Sequence, residues 1–206
     1  MKIVLASKNP KKAEEMQRMA DSFFQGSVTV IGLSDIPEAK GVEQAEENGA
    51  TFLENAKIKA EYWAEKLQMP ALAEDSGIEI DALDGAPGVY TKRAIAKFCP
   101  NEDINVDRPS EFYPKLLQIM NESGNPSKKA DWVSAMVLAF PNERANIEAQ
   151  NTIYGEMCEC AGSREFGFDQ YFRPEGYNQT LSEMRPEEKD YIGPRLKSIK
   201  EIFSKI

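Results

Sequence analysis

The stretch that decides the fold is ALAEDSGIEIDALDGAPGVY, residues 71–90. It opens on a short apolar run and then places Glu74, Asp75 and Ser76 where a buried strand is expected to end. The pattern of residues 71–83 predicts two short strands around a turn. Ligands of open α/β sheets bind at the carboxyl ends of strands, so these polar side chains are candidate site residues. The alternative is an ordinary turn closed by local side-chain hydrogen bonds.

Strands and helices alternate along the first part of the chain. Apolar, β-branched runs at residues 2–7 and 27–33 predict two strands. Residues 8–24 and 50–68 space their apolar side chains as a helix does, and the second segment begins with a capping-box sequence. This order predicts an α/β fold. No repeat or linker separates independent parts, so residues 1–206 are predicted to form a single domain.

The second half of the chain adds a helix, a strand pair and a broken helix. Residues 109–124 predict the helix, and residues 131–140 and 145–159 predict two strands joined by a short turn. The segment 182–206 is mostly helical in pattern. It is interrupted near Gly193-Pro194, because proline cannot continue a helix.

Composition and charge exclude several classes of protein. The formal net charge is −9, which disfavours non-specific binding to nucleic acid or anionic lipid. No apolar run is long enough for a membrane helix, and the apolar start is too short for a signal peptide. The three cysteines, Cys99, Cys158 and Cys160, do not suggest a disulfide framework. A cytoplasmic protein is the expectation.

The chain contains no histidine. This excludes Ser-His-Asp and Cys-His hydrolases and any zinc site built on histidine. Carboxylates must therefore serve as general bases, and oxygen ligands must hold any metal, which favours Mg²⁺. Glu74 and Asp75 fit that role because adjacent carboxylates repel one another unless a cation or a proton intervenes.

The segment SKNPKK, residues 7–12, is a candidate phosphate site. A strand-to-helix junction offers free backbone N–H groups and the positive end of the helix dipole. Ser7 and Asn9 add hydrogen-bonding side chains, and Lys12 adds a positive charge. The segment is not a Walker loop, and its alternative interpretation is a solvated, capped helix start.

The helix at residues 50–68 carries a second candidate group. Asn55 and Lys59 lie four residues apart and share a helix face, so they could contact one ligand. Glu46 and Glu47 precede the helix. The alternative is that these charged residues form only the solvated face of the helix.

An aromatic segment near the C-terminus could hold a nucleobase. Two phenylalanines flank a glycine, and a carboxylate follows: Phe166, Gly167, Phe168 and Asp169. An aromatic ring can stack on a base while the polar groups bind its edge. Lys189 and Arg195 could reach the base or the phosphates. The alternative is that the aromatic side chains belong to the core.

Together these segments resemble the inosine/xanthosine triphosphate pyrophosphatase family. The matching segments follow the family's order over nearly the whole chain: SKNPKK (7–12), EENGATFLENAKIKA (46–60), AEDSGIEIDALDGAPGVY (73–90), FGFDQYF (166–172) and EEKDYIGPR (187–195). The resemblance implies a twisted central mixed sheet flanked by helices, two lobes around a central cleft, and a homodimer. It implies Mg²⁺-dependent hydrolysis of ITP, dITP and XTP to a nucleoside monophosphate and pyrophosphate.

The resemblance also assigns roles to individual positions. It implies that the triphosphate is bound by Ser7, Lys8, Asn9, Pro10, Lys11, Lys12 and Lys59, and that Ser76 contacts the substrate. It implies that Glu46 and Asp75 hold Mg²⁺, with Glu74 as an alternative ligand. Asp75 would also be the general base. The base would be held by Phe166, Gly167, Phe168, Asp169, Lys189 and Arg195.

One departure from the family pattern is Asn48, which replaces a threonine, and the others fall among the residues expected to hold the base. Gly193-Pro194 stands where the family has Ser-His, Phe168 replaces a tyrosine or tryptophan, and Gln170 replaces a proline. Two alternatives follow from these changes. The chain could perform the same reaction on another modified or pyrimidine nucleotide, or it could bind a nucleotide with weak catalysis.

Overall fold

The computed structural model describes residues 1–24, 26–90, 109–142, 144–163 and 167–206. Its six strands within these ranges are Lys2–Leu5 (β1), Thr29–Gly32 (β2), Ala71–Ile80 (β3), Lys129–Ala139 (β4), Ile147–Met157 (β5) and Phe172–Pro174 (β6). The α-helices of the same ranges are Pro10–Phe24 (α1), Phe52–Leu67 (α2), Pro109–Glu122 (α3), Pro186–Ile192 (α4) and Pro194–Phe203 (α5). The predicted break near Gly193-Pro194 separates α4 from α5.

The strands form one mixed sheet in the order β2-β1-β3-β4-β5-β6. Strand β1 pairs in parallel with both β2 and β3, whereas β5 and β6 are antiparallel. Parallel neighbours joined by helices are typical of α/β proteins, and the predicted α/β class with a mixed central sheet is confirmed. Across the described residues, no helix combines the length and apolarity that crossing a bilayer requires.

One predicted element is wrong. Residues 71–83 were expected to form two short strands around a turn, but β3 runs unbroken from Ala71 to Ile80 and a 3₁₀-helix, Asp81–Leu83, follows it. The acidic residue at the expected turn, Glu74, is buried and has charged partners, which are described below. Because its side chain is satisfied, the backbone can stay in the sheet through the polar stretch.

The described chain divides into two compact units, and β3, β4 and β5 contribute residues to both. Unit 1 comprises residues 1–75, 134–151 and 194–206. Helix α1 lies in this unit and turns one apolar face inward, because Ala13, Met16 and Ala20 recur at helical spacing. Its core also includes Ile3, Leu5, Leu72, Met136, Leu138 and Ile199, all almost fully buried.

The outer edge of β2 is closed by a side chain of α1. Gln17 Oε1 accepts a hydrogen bond from the Val30 N–H at 2.7 Å, and Gln17 Nε2 donates to the Val28 carbonyl at 3.3 Å. An exposed edge strand with free backbone groups can pair with another chain. The amide of Gln17 occupies the positions that a further strand would use, so it protects this edge.

Unit 2 comprises residues 76–133 and 152–193. Its core is rich in aromatic side chains: Phe112, Tyr113, Trp132, Tyr171 and Phe172 are all buried, together with Ile78, Ile80, Leu116 and Met157. The rings of Tyr113 and Tyr171 are stacked, with centroids 5.4 Å apart. Aromatic side chains bury large areas and pack with defined geometry, so this cluster gives the unit a core of its own.

Candidate active site

The loop between β1 and α1 has the geometry of a capped helix start. The Asn9 N–H donates to Ser7 Oγ at 3.2 Å, and Asn9 Oδ1 accepts from the Lys11 N–H at 3.0 Å. Lys8, Asn9, Pro10 and Lys11 are exposed, and Ser7 and Lys12 are partly buried. The predicted phosphate-binding residues are therefore accessible, and α1 directs the positive end of its dipole at this loop.

Lys12 is fixed by a buried carboxylate. Its Nζ lies 3.3 Å from Glu74 Oε2, and the Glu74 side chain is only 2% exposed. The other oxygen of that carboxylate, Oε1, accepts from Ser134 Oγ at 3.1 Å and from Arg195 Nε at 2.5 Å. Both oxygens of Glu74 thus have protein partners.

We call this group the anchor network: Lys12, Glu15, Glu74, Ser134 and Arg195. Burial acts to raise the pKa of Glu74, but Arg195, Lys12 and the hydrogen bonds from Arg195 and Ser134 hold that pKa well below its usual range. Glu74 is therefore ionised at neutral pH. The predicted role of Glu74 as an alternative metal ligand remains a prediction. Its contacts show it as the group that holds Lys12 in place.

Arg195 also belongs to this network. Its side chain is 6% exposed, and Nη1 lies 3.2 Å from Glu15 Oε1 in addition to the contact with Glu74. Arg195 is the second residue of α5 and is part of unit 1. Contact between Arg195 and a nucleobase remains a prediction. The structure shows that this guanidinium joins two carboxylates of unit 1.

A second group of charged residues, which we call the carboxylate site, consists of Glu47, Lys59 and Asp75. Lys59 Nζ lies 3.0 Å from Glu47 Oε2 and 3.2 Å from Asp75 Oδ1. The exposed fractions of the three side chains are 35% for Glu47, 13% for Lys59 and 17% for Asp75. Three groups that the sequence separates by up to 28 positions therefore meet around one ammonium.

The loop before α2 explains which glutamate reaches this site. Asn55, which is 3% exposed, accepts a hydrogen bond from the Gly49 N–H through Oδ1 at 2.8 Å. A Cβ at Gly49 would come within 2.8 Å of that same oxygen, so the position requires glycine. With the loop held in this way, Glu47 contacts Lys59 and Glu46 is exposed. The metal-ligand role of Glu46 stays a prediction, and Asn55 positions the loop.

Asp75 keeps one buried oxygen available. Its Oδ2 is buried and forms no hydrogen bond with any of the described residues. Burial raises the pKa of Asp75, and the negative charge of Glu47 adds to the rise, whereas Lys59 and Asn55 act in the opposite direction. A cation at Oδ2 would satisfy the orphaned atom and favour the ionised carboxylate.

The available oxygen ligands suit Mg²⁺ better than they suit a metal ion coordinated by protein side chains alone. Within residues 1–24, 26–90, 109–142, 144–163 and 167–206, no group of three or more His, Cys, Asp or Glu is arranged to hold a metal ion. Mg²⁺ binds through one or two carboxylates and completes its shell with water and substrate phosphates. The carboxylates of Asp75 and Glu47 supply that number.

In unit 2, the candidate base site consists of Phe168, Asp169 and Lys189. Lys189 Nζ lies 2.5 Å from Asp169 Oδ2, and both side chains are largely buried. The Lys189 ammonium also faces the Trp132 ring at 5.9 Å from its centroid. The structure therefore brings together two predicted base-binding residues that lie 20 positions apart.

Phe168 lies among aromatic rings. Its centroid is 5.5 Å from that of Trp132, 5.8 Å from Phe172 and 6.3 Å from Tyr113, all in edge-to-face geometry. Burial raises the pKa of Tyr113 in this cluster, and the nearby negative charge of Asp169 raises it further. Gly167 has a φ of +56°, which favours glycine there. Phe166 lies outside the described residues, so its predicted role is untested.

Comparisons with known proteins identify the family of this chain. The model of the Ham1 family matches residues 3–205. The chain belongs to the Ham1 family. Among its relatives, the dITP/XTP pyrophosphatase of Aquifex aeolicus (strain VF5) is 34% identical over 204 residues, covering 98% of this chain and 95% of the relative. The protein of that name from Bacillus anthracis is 33% identical over 207 residues, covering 99% and 95%. The family predicted from the motifs is confirmed.

Solved structures of the Ham1 family share the fold. A HAM1 protein from Coxiella burnetii matches with a TM-score of 0.83 and 30% identity, covering all of both chains. The nucleoside-triphosphatase / dITP/XTP pyrophosphatase from Mycobacterium abscessus ATCC 19977 / DSM 44196 matches with a TM-score of 0.72 and 32% identity, covering 96% of each chain.

The structure explains how this Ham1-family chain accommodates Gly193-Pro194. The Gly193 N–H donates to the carbonyls of Lys189 and Asp190, which ends α4. A Cβ at Gly193 would lie 3.0 Å from the Lys189 carbonyl oxygen, so glycine keeps this helix end tight. Pro194 then occupies the first position of α5, where its missing N–H is not needed.

Two contacts of the Ham1-family site were not predicted from the sequence. Glu47, rather than its neighbour Glu46, reaches Lys59, and only the loop geometry distinguishes the adjacent glutamates. Ser134 lies in the middle of an apolar strand, where an isolated serine is the one signal of a buried polar partner. Ser76 follows Asp75 in β3 and is partly buried, and its contact with substrate remains a prediction.

Proposed function

We propose that this Ham1-family protein hydrolyses the triphosphates of deaminated purine nucleosides, ITP, dITP and XTP, to the monophosphate and pyrophosphate. The relatives named dITP/XTP pyrophosphatase extend over nearly the whole chain and support the substrate class. The observation that carries the proposal is the partly buried Asp75 carboxylate, which faces Lys59 and keeps one buried oxygen without a hydrogen-bond partner among the described residues.

The proposed cofactor is Mg²⁺. Asp75 and Glu47 would hold it, with Glu46 as the alternative to Glu47. When bound, Mg²⁺ would neutralise charge on the triphosphate and stabilise the leaving pyrophosphate. The proposal is supported by the orphaned oxygen of Asp75 and by a donor set of oxygen atoms alone.

The side chains of this protein would supply the remaining steps. The Ser7–Lys12 loop and Lys59 would bind the phosphates, and Lys12 is already fixed by Glu74. A water molecule would attack phosphorus, and the α–β anhydride bond would break, so that pyrophosphate leaves with the bonding electron pair. Asp75 would take the proton that the water loses. Placement of reactants and of positive charge accounts for most catalysis in phosphoryl transfer.

Base selection is assigned to the candidate base site. A deaminated purine carries a carbonyl at position 6, which accepts a hydrogen bond, whereas adenine carries an amino group, which donates one. Lys189, oriented by Asp169, can donate to a carbonyl but cannot accept from an amino group. The mismatch would leave buried polar groups unpaired and so disfavour adenine nucleotides.

A specific observation supports a second candidate function. The chain has no histidine, and Gly193-Pro194 replaces the Ser-His of the family pattern. The protein could therefore act on another nucleotide, or bind a nucleotide with weak catalysis. A single-turnover experiment separates these possibilities. With enzyme in excess over dITP and Mg²⁺ present, we expect stoichiometric pyrophosphate, and intact dITP bound to the protein would favour the binding function.

A homodimer and a cytoplasmic location belong to the same proposal. The dimer rests on the resemblance to the family, and the cysteine pattern supports a reducing compartment. Light scattering coupled to gel filtration measures the mass directly. Twice the 23.1 kDa of the chain is expected, and the mass of one chain would reject the dimer.

A further inference from the structure

Lys59 occupies an unusual position for a lysine assigned to phosphate binding. Its ammonium is within 3.2 Å of oxygens from two different carboxylates, Glu47 and Asp75, and its side chain is 13% exposed. An ammonium is a compact cation with three donors, so it can bridge two acidic groups that would otherwise repel one another. Lys59 thus offsets one of the two negative charges of the carboxylate site from within the protein.

A divalent ion would use the same carboxylates. Mg²⁺ demands close contact with oxygen and strongly repels a neighbouring positive charge. Lys59 Nζ contacts one oxygen of Asp75 and one of Glu47, so an ion bound to the remaining oxygens of these carboxylates would lie close to the ammonium and repel it.

We propose that Lys59 competes with the divalent cation for Glu47 and Asp75, and that metal binding displaces its ammonium toward the phosphates of the substrate. The inference rests on the proposed function for the identity of the cation and of the phosphates. It adds that Lys59 alternates between two partners, so that the carboxylate site has a cationic partner with or without the metal.

Two consequences distinguish competition between Lys59 and the cation from a role of Lys59 as a fixed phosphate ligand. Replacing Lys59 by methionine keeps the length of the side chain but removes the rival cation, so the free protein should bind Mg²⁺ more tightly. The same replacement should weaken substrate binding. Displacement also predicts that Mg²⁺ alone, without nucleotide, makes the Lys59 amine more accessible.

Lys57 provides a matched control. It lies on the same helix two positions away and pairs with Glu148 at 3.6 Å, and both side chains are well exposed, at 49% and 38%. The pair is not part of the carboxylate site. Lys57→Met therefore removes one positive charge from the same helix without removing a competitor for Asp75.

The experiment combines two measurements on the full chain. Amine labelling with mass spectrometry is compared in EDTA and in saturating Mg²⁺, and we expect labelling of Lys59 to rise several-fold while that of Lys57 stays constant. Calorimetry then gives the Kd of Mg²⁺, which we expect Lys59→Met to lower by about 5-fold or more, the size of a modest coupling between two ligands. The Kd of Mg²⁺ for Lys57→Met should equal that of the wild type.

Several outcomes would overturn the inference. They are unchanged labelling of Lys59 at saturating Mg²⁺, an unchanged or weaker affinity in Lys59→Met, and no saturable Mg²⁺ binding by the free protein. The labelling experiment uses the wild-type chain, so it remains decisive if Lys59→Met does not fold. Pyrophosphate release is measured on the same preparation. Turnover without any change at Lys59 rejects this inference alone, and a change at Lys59 without turnover rejects the proposed function alone.

Discussion

The charged residues of unit 1 and the candidate base site of unit 2 are built on different principles. In unit 1, Lys12 and Lys59 are each fixed by carboxylates from distant parts of the sequence, and Arg195 joins Glu15 to Glu74. In unit 2, one ion pair, Asp169–Lys189, accompanies a cluster of aromatic rings. The first region is a network of opposite charges, and the second is a mainly buried aromatic cluster beside one ion pair.

The difference predicts where replacements are tolerated. A buried charge is destabilising without its partner. The residues of the anchor network must therefore be kept as a set, and so must those of the carboxylate site. Aromatic contacts tolerate replacement by rings of similar size. Of the departures from the family pattern, Phe168, Gln170 and Gly193 fall in unit 2, whereas Pro194 falls in unit 1, next to Arg195. The following variants test this division.

Asp75→Asn should have the largest effect on activity. The amide cannot take a proton from water and is a poor ligand for Mg²⁺, so we expect kcat for dITP to fall by about 10³-fold, within the usual range for a general base. Pyrophosphate release measures the rate, and circular dichroism with thermal unfolding establishes that the variant is folded. Turnover near the wild-type rate would exclude Asp75 as the base.

Glu74→Gln should have the largest effect on stability. The buried Arg195 would lose its ionised partner, so we expect the free energy of unfolding in urea to fall by about 3 kcal/mol. Glu188→Gln is the control, because Glu188 pairs with Arg185 at the surface and both side chains are well exposed. No measurable change is expected there. Equal stability of Glu74→Gln and the wild type would contradict the anchor network.

The same variant gives a pH dependence with a defined sign. The folded-state pKa of Glu74 is held below the unfolded value of about 4.3, so its stabilising contribution is fully present above that pH. It is lost as the pH falls toward the folded-state pKa. The difference in unfolding free energy between the wild type and Glu74→Gln should therefore be constant from pH 7 to about 5 and shrink at lower pH. If the difference in unfolding free energy grew as the pH fell, the folded-state pKa of Glu74 would not be lowered, and the assignment would be wrong.

Lys189→Met should change specificity more than chemistry. Without the ammonium, the 6-carbonyl loses its donor, so the ratio of kcat/KM for dITP to that for dATP should fall by about 10-fold or more. The ratio comes from one preparation, so a partly unfolded fraction does not affect it. An unchanged ratio would remove Lys189 from base selection, and loss of the dITP rate without a change in the ratio would point to a structural role.

Lys12→Ala should have the smallest effect of these variants. Removing one of several groups that bind the triphosphate should raise KM by about 10-fold and leave kcat closer to the wild-type value. Steady-state kinetics with dITP separate the two constants. Lys2 is exposed and lies outside the predicted phosphate loop, so Lys2→Ala is the control. Equal KM values in Lys12→Ala and the wild type would count against the phosphate loop.

Local patterns were sufficient for most of the fold. Helices α1 and α2 follow from helical spacing and, for α2, from a capping box in which Thr51 and Glu54 bond as predicted. The continuity of β3 was not predicted, because it depends on partners of Glu74 that lie 60 and 121 positions away. Strand β6 depends on pairing with β5 and has only three residues, so it leaves no periodic signal.

The candidate site was predictable in its residue types but not in its pairing. The motifs singled out Lys12, Lys59 and Asp75, and each of them has an ion-pair partner in the structure, whereas their roles toward phosphate and metal remain predictions. They did not show that Lys12 is held by Glu74, or that Glu47 and not Glu46 reaches Lys59. Which residues pair depends on loop geometry and burial, and two adjacent glutamates cannot be told apart in the sequence.

The central claim is that the Asp75 site cleaves deaminated purine triphosphates to a monophosphate and pyrophosphate. The most direct test is kcat/KM for a panel of dITP, XTP, dGTP, dATP and dUTP with Mg²⁺, with pyrophosphate and orthophosphate measured separately. The account predicts that dITP and XTP exceed dATP by about 10²-fold and that each turnover releases one pyrophosphate. Orthophosphate as the product, or dATP hydrolysed as efficiently as dITP, would contradict it.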